Sequence, residues 1–291
     1  MRGLTKVFDE QRAVDGLTLD LRGGEVFGFL GPNGAGKSTT IRMLLGFIRP
    51  TSGSASIHGL DCTRQATAVH ALTGYLAGEV HLFPHLTGRA HTELVTSLRG
   101  VHDPEPAEEL AARLDLDLTR KAGAYSKGNR QKLGIVMALI GAPPVLLLDE
   151  PTSGLDPIIQ HRVWEILRER AARGTTILFS SHVLGEVEQV CDRVGVLRDG
   201  RLVTVEPVAD WRAHQKRRIE VTFAGALPAP GALDVMGVRE VARHGPTVDL
   251  EIGDDVDALI KALANYNVLD LRTYQPTLED LLLGYYRQEA T

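Results

Sequence analysis

The sequence predicts an α/β protein: a parallel sheet with crossover helices, an accompanying antiparallel β portion, a mostly helical insertion, and a small α+β domain at the C-terminal end. Three observations carry this. Continuous apolar runs, as in buried strands, occur at residues 26–30, 145–148 and 175–180. Stretches with helical periodicity separate them, the pattern of a parallel sheet. Composition then shifts after residue 206, with a basic patch over 211–218 and a Pro/Gly-rich stretch at 227–231.

Taken in order, residues 17–21 alternate with period two and read as a half-buried strand. Gly23-Gly24 turns the chain into the run 26–30, which ends in a glycine-rich loop. Ile41, Leu44, Leu45 and Ile48 then recur at helical spacing until Pro50 and Gly53. Residues 80–142 are rich in Ala, Leu, Glu and Arg and predict helices, with turns at Pro84, Pro104, Pro106 and Gly123. Ile159, Val163, Ile166 and Leu167 form one face of a helix closed by Gly174. Asp199-Gly200 between the apolar runs 194–197 and 202–205 predicts a hairpin. Beyond it, strands are expected over 218–223, 238–243, 248–252 and 268–272. Helices are expected over 255–264 and 278–286, with Thr277 and Asp280 as a capping box. The expected organisation is one domain over 1–206, containing a helical subdomain at about 80–142, and an accessory domain over 213–291.

The 291 residues are 43% hydrophobic and 24% charged, which excludes a disordered or fibrous chain. A net charge of −5 argues against a nucleic-acid partner. Two cysteines, Cys62 and Cys191, cannot form a disulfide framework and fit a reducing compartment. No stretch approaches the roughly 20 apolar residues of a spanning helix, and the first ten residues carry charges where a signal peptide has its apolar core. A cytosolic protein is expected, held at a membrane only through a partner.

The loop Gly31-Pro32-Asn33-Gly34-Ala35-Gly36-Lys37-Ser38 fits the pattern G-x-x-x-x-G-K-[ST]. Glycines let backbone N–H groups turn inward around anionic oxygens, and the following helix, which opens with Lys37, Ser38 and Thr39, points its positive end at them. Lys37 is expected to reach the β/γ-phosphates of a nucleotide and Ser38 to hold Mg²⁺. The run 145–148 ends in Asp149-Glu150. Asp149 is placed to hold Mg²⁺ and Glu150 to polarise an attacking water on the γ-phosphate side.

Between these motifs lies Tyr125-Ser126-Lys127-Gly128-Asn129-Arg130-Gln131-Lys132, and after them Ser153-Gly154-Leu155-Asp156 and His182. This order resembles the ATP-binding subunits of ABC transporters over about residues 1–205. The resemblance implies Phe8 stacking on the adenine of ATP and His182 as a catalytic switch histidine. It also implies a dimer in which Ser126 and the backbone N–H of Gly128 meet the γ-phosphate bound by the other chain, while Asp156 communicates between the two sites. Closure on ATP would drive a transmembrane permease from the cytoplasmic face of the membrane. The tail Pro276-Thr277-Leu278-Glu279-Asp280-Leu281 resembles the export-type (ABC-2) branch, so a membrane exporter is expected.

Three positions depart from that pattern. Gly78, in Gly74-Tyr75-Leu76-Ala77-Gly78-Glu79, stands where a glutamine is usual, and Glu79 is the expected substitute as a metal or coupling residue. Lys127 and Asn129 replace Gly and Gln in the signature. The sequence starts at Met1-Arg2-Gly3-Leu4-Thr5-Lys6, without the apolar strand usual before this segment, so the sheet is expected to lack an edge strand or the start to lie upstream. Two alternatives stay open: a non-transport ATPase of the same superfamily, or a nucleotide-binding regulatory module with weak hydrolysis. His81, His85 and His91 lack the acid or thiol companions of a metal site. Lys216-Arg217-Arg218 reads as a solvated linker.

Overall fold

The structure, a computed structural model, describes residues 1–100, 107–210, 217–253 and 256–274. It divides into two compact units, Met1–Val208 and Ala209–Thr291.

The first unit begins with β1 (Arg2–Phe8) and β2 (Gln11–Leu17), an antiparallel pair. One expectation fails here, and one strand was not expected at all. β1 is the central strand of a three-stranded sheet. It escapes sequence patterning because only Leu4 and Thr5 are buried and its register shifts twice against β2. The alternation at 17–21 does report burial, with Leu17 and Leu19 in the core. Yet the strand lies earlier, over β2, and beyond Leu17 the segment's only pairing is Leu19, which exchanges two backbone bonds with Met1 (2.9 and 3.1 Å).

β3 (Val26–Leu30) is buried at every residue and runs into the phosphate loop and α1 (Lys37–Leu44). α1 ends earlier than expected, because Gly46 takes a left-handed φ of 68° just past its cap, Leu45. β4 (Ser52–Ser54) closes the antiparallel sheet against β1. After the short pair β5 (Ser56–Ile57) and β6 (Leu60–Asp61) come α2 (Ala66–Leu72) and β7 (Thr73–Leu76).

The helical segment follows: α3 (Gly88–Arg99), α4 (Ala107–Arg113) and α5 (Lys127–Leu139). Thr87 and Ser126 cap α3 and α5 by accepting from Ala90 N and Asn129 N. β8 (Val145–Asp149), α6 (Pro157–Ala172), β9 (Thr176–Ser181) and α7 (Leu184–Val190) complete the crossovers. In α6, Asp156 caps and Pro157 occupies the first turn, while Ile159, Val163, Ile166 and Leu167 are buried. β10 (Arg193–Arg198) and β11 (Arg201–Pro207) form the hairpin, with Asp199 and Gly200 at φ 47° and 79°, as a two-residue turn of type I′ requires.

The main sheet runs β11-β10-β3-β9-β8-β7, parallel except for the edge strand β11. Full burial of β3, β8 and β9 is what a parallel sheet covered on both faces demands. Among the described residues no helix is long and apolar enough to cross a membrane.

The second unit is a four-stranded antiparallel sheet, β13-β14-β12-β15, made of β12 (Arg217–Phe223), β13 (Val238–His244), β14 (Thr247–Ile252) and β15 (Val268–Tyr274), with α8 (Asp257–Leu263). It has its own core, built on Ile219, Val221, Phe223, Val248, Leu250 and Leu259. Pro104 and Pro106, the basic stretch up to Lys216, Asp255, and the expected helix 278–286 with its Thr277–Asp280 box and Pro276–Leu281 tail lie outside the described residues.

Val208 marks the end of the first unit: it is buried, and its N–H donates to Asp192 O at 2.9 Å. A protein ending at Val208 is therefore expected to unfold cooperatively and to bind nucleotide as the full chain does. A folded 1–208 chain that no longer binds nucleotide at equilibrium would show that the second unit completes the site.

Candidate functional site

Parallel register brings the ends of β3, β8 and β9 to one edge of the sheet: Leu30 lies opposite Ser181, and Asp149 opposite Ser180. Gly31, Glu150 and His182 each follow one of these strands directly. This is the edge where ligands bind in open parallel sheets.

The phosphate loop is packed from outside by other loops. Gly36, the N-cap of α1, has φ 102°, and a Cβ there would stand 2.5 Å from Ala13 O. Gly200 of the hairpin donates to Ala35 O (3.2 Å), while Asp15 donates to Gly200 O (2.9 Å). The antiparallel sheet and the hairpin thus hold the loop's outer wall. Lys37 is 5% exposed and folds back over the loop, donating to Gly31 O (2.6 Å) and Pro32 O (3.1 Å). Burial pulls its ammonium below the ordinary lysine range, opposed by the carboxylates of Glu150 and Asp149.

Asp149 is buried, and its Oδ1 accepts from Ser180 Oγ at 2.7 Å. Glu150 is a non-glycine residue with φ 48°. Its N–H donates to both Ser180 O (3.2 Å) and Ser180 Oγ (3.1 Å). Its Oε1 lies 3.8 Å from Lys37 Nζ and 3.1 Å from His182 Nδ1. A carboxylate can only accept, so Nδ1 of His182 carries the proton of that bond. Lys37, Asp149, Glu150 and His182 are therefore brought together.

The remaining expected residues fall elsewhere. Ser126 and Gly128 sit at the start of α5, which lies against the 153–156 loop: a Cβ at Gly128 would be 3.2 Å from Gly154 O. The Lys127 stem covers Gly154, with Cδ and Cε 3.5 Å from where its Cβ would be. Asp156 is engaged as the cap of α6, accepting from Ile159 N at 3.1 Å. Phe8 is 44% exposed, with Lys6 Nζ 4.8 Å above its ring. A Cβ at Gly78 would stand 3.4 Å from Asp149 Oδ2, so position 78 faces the metal-binding candidate directly. Glu79 does not: its side chain is 85% exposed, and its carboxylate lies 3.9 Å from His81 Nε2. Its expected part as a metal ligand is corrected on that ground, since the chain turns its side chain outward while Gly78 takes the inner position. His91 is buried, donating from Nδ1 to Thr87 O (2.8 Å) and accepting at Nε2 from Phe83 N (3.0 Å). Both its nitrogens serve the fold.

Three polar side chains given no role by sequence reasoning support the site. Ser180 bridges Asp149 and Glu150, as described. Glu186 accepts from Thr152 Oγ1 (2.7 Å) and Ser181 Oγ (2.5 Å), tying the loop after Glu150 to the strand end before His182. Gln131 donates from Nε2 to Glu150 O and Pro151 O, both at 3.1 Å. Ser180 was signalled by its place in Ser180-Ser181-His182, but nothing local marks Glu186 or Gln131, which act across the fold.

The chain matches the family model described as ABC transporter over residues 14–153. It is 35% identical over 294 residues to the daunorubicin resistance ATP-binding protein DrrA3 of Streptomyces coeruleorubidus, covering 97% of this chain and 93% of that one. It is 41% identical over 257 residues to the phospholipid-transporting ATPase ABCA7 of Homo sapiens, covering 86% of this chain but only 12% of that protein. The chain thus spans about an eighth of this much longer relative. A solved ATP-binding subunit of an ABC transporter superposes with a TM-score of 0.66 at 31% identity, over 72% of this chain and 90% of that one.

Ser180→Ala removes the donor to a buried carboxylate and one acceptor of Glu150 N–H. Loss of about 1–3 kcal/mol is expected, read as a fall in Tm of roughly 2–10 °C. A Tm within 1 °C or so of wild type would mean that water replaces the hydroxyl without cost.

Proposed function

The chain belongs to the ABC transporter family as an ATP-binding, ATP-hydrolysing cassette, and from that premise we propose that it is the motor subunit of a membrane exporter. The observation that carries the chemistry is the convergence of Lys37, Glu150 and His182 beside the phosphate loop, backed by Asp149. In this reading the phosphate-loop N–H groups, with residues 31–39, hold the phosphates of ATP, and Phe8 offers its exposed ring to the adenine. Lys37 exchanges its two carbonyl partners for phosphate oxygens. Glu150 accepts the proton of the attacking water, and His182, bonded to Oε1, fixes the orientation of that carboxylate.

A hydroxyl at Ser38 and a carboxylate at Asp149 are the hard oxygen donors that Mg²⁺ takes. Asp149 Oδ2, on the side of Gly78, is the oxygen that Ser180 does not engage. These two residues would hold the ion, which supplies charge neutralisation on the phosphates.

Two such chains, or this chain and a paired cassette, sandwich ATP. Ser126 and the Gly128 N–H, at the positive end of α5, face the γ-phosphate held by the other chain, and Asp156 lies at the junction of the sites. A transmembrane permease anchors the pair at the cytoplasmic face of the membrane, and the outward-pointing Glu79 belongs to the surface offered to it. The exporter assignment is supported by the near full-length likeness to a drug-resistance ATP-binding protein.

Lys37→Ala is expected to abolish ATP binding. Glu150→Gln is expected to keep binding, slow hydrolysis by roughly 10²–10⁴-fold, and trap a closed dimer seen by size-exclusion chromatography. Wild-type turnover in Glu150→Gln would falsify the general-base role. A proton linkage follows as well. Burial lowers the Lys37 pKa in the free protein, and phosphate raises it again on binding. Binding at about pH 9, just below the ordinary lysine value, should take up protons. Titration calorimetry in two buffers of different ionisation enthalpy measures this, and proton release would contradict it.

A further inference from the structure

We propose that Gln131 is a positioning residue for ATP hydrolysis, holding the backbone of Glu150 in the conformation that aims its carboxylate. This rests on the reading of Glu150 as general base. Glu150 is strained: its φ of 48° is left-handed and is not favoured by a side chain with a Cβ. Such a conformation persists only if its surroundings over-determine it. Three groups do so. On the amide side, Ser180 accepts the Glu150 N–H through its carbonyl and its hydroxyl. On the carbonyl side, Gln131 donates to Glu150 O and Pro151 O at 3.1 Å each, and the Ser153 N–H of the same loop donates to Glu150 O at 3.2 Å. Gln131 is 5% exposed and uses both protons of one amide nitrogen, so its donor capacity there is exhausted.

Without that clamp Pro151 O loses the Gln131 donor and Glu150 O keeps only the Ser153 N–H of its own loop, so nothing from α5 holds this peptide. The strain at Glu150 then relaxes together with the loop, and its carboxylate swings away from His182 Nδ1 and Lys37 Nζ. Gln131 also lies on α5, the helix capped by Ser126. The same rigid helix therefore carries both the signature loop and the clamp on the hydrolytic acid. A shift of α5 relative to β8 moves the two together, which makes the aim of Glu150 sensitive to where the signature helix sits. The cavity of about 670 Å³ beside Gln131, lined by Gly78, Glu79, His81, Lys127 and Arg130 among others, leaves room for such a shift.

The test uses the full chain with Mg–ATP and compares Gln131→Ala, Gln131→Glu and Glu150→Gln. In Gln131→Ala, kcat should fall roughly 10- to 100-fold, the scale of leaving buried acceptors unpaired, with KM and equilibrium ATP binding changed by less than about twofold. In Gln131→Glu the ionised side chain cannot donate and faces two carbonyl oxygens, whereas the protonated one donates a single bond. A carboxyl in this buried position titrates upward of its usual range. The ratio of its kcat to that of wild type should thus rise as pH falls from about 8 to about 6, while the ratio for Gln131→Ala stays flat. A residue that merely holds the helix would lose kcat and ATP binding together, with no pH trend in the ratio, and that result overturns the proposal. So does a kcat within twofold of wild type in Gln131→Ala. If Gln131→Ala does not fold, the pH trend of Gln131→Glu decides alone. Wild-type turnover in Glu150→Gln would instead remove the general-base reading on which the proposal stands.

Discussion

The whole site depends on one register. Pairing β3 with β9 and β9 with β8 in parallel sets Leu30 opposite Ser181 and Asp149 opposite Ser180, so the three strands end within one residue of each other. The phosphate loop, Glu150 and His182 leave from the residues that follow. A one-residue slip of β8 would turn the Asp149 side chain to the opposite face and break its bond to Ser180. The slip is prevented by the pattern itself. β8 and β9 are buried at every position, so each side chain has its own slot on one face or the other. The hydrophobic core and the active constellation are therefore specified by the same residues, and the strands need no polar marker to find their partners.

Holding charge at that edge has a cost, and the structure shows how it is offset. Lys37 is buried, yet it has two carbonyl acceptors and two carboxylates near it. Those carbonyls belong to the phosphate loop itself, so the free protein keeps the lysine satisfied at the place where an anion would otherwise do so. Asp149 is buried with a hydroxyl donor on one oxygen only. Its other oxygen faces position 78, where glycine supplies neither donor nor bulk. Asp149 is thus left more open than it would be behind a side chain at 78, and an incoming cation meets less competition there.

Much of this was legible in the sequence, for reasons that differ by element. The phosphate loop, the Asp149-Glu150 pair and the Asp199-Gly200 hairpin are local: spacing and backbone preference within a few residues determine them. The helical segment within 80–142 was legible through composition and turn residues, and the helix over 157–172 through its periodicity and the glycine that follows. β1 was not, because a strand with only two buried residues, adjacent in sequence, carries no alternating apolar signal. The alternation at 17–21 misled for the opposite reason. Burial alternates there, but ladder pairing stops, since beyond Leu17 only Leu19 finds a backbone partner, at Met1. Glu79 looked like a substitute for the missing glutamine because it is next in sequence. The chain bends at Gly78 and Glu79, past the end of β7, so that position 78 faces Asp149 while the Glu79 side chain is exposed.

The groups that sequence reasoning missed share a property. Ser180, Glu186 and Gln131 each join two of the pieces that the motifs name separately. Ser180 joins Asp149 to Glu150. Glu186 joins the loop after Glu150 to the strand end before His182. Gln131 joins the signature helix to the Glu150 backbone. Motifs record the groups that face the ligand, and these lie within short stretches of chain. The connectors face other protein groups, in different elements and up to 34 residues away. Geometry at the site is decided by the connectors: a carboxylate on a strained backbone is held in one orientation only when its amide and its carbonyl are both engaged. Because one of those holds comes from α5 and the other from β9, the backbone of Glu150 is tied to both the helical segment and the sheet. On the reading proposed above, the aim of the general base then depends on how those two parts are placed, through protein groups that touch no nucleotide.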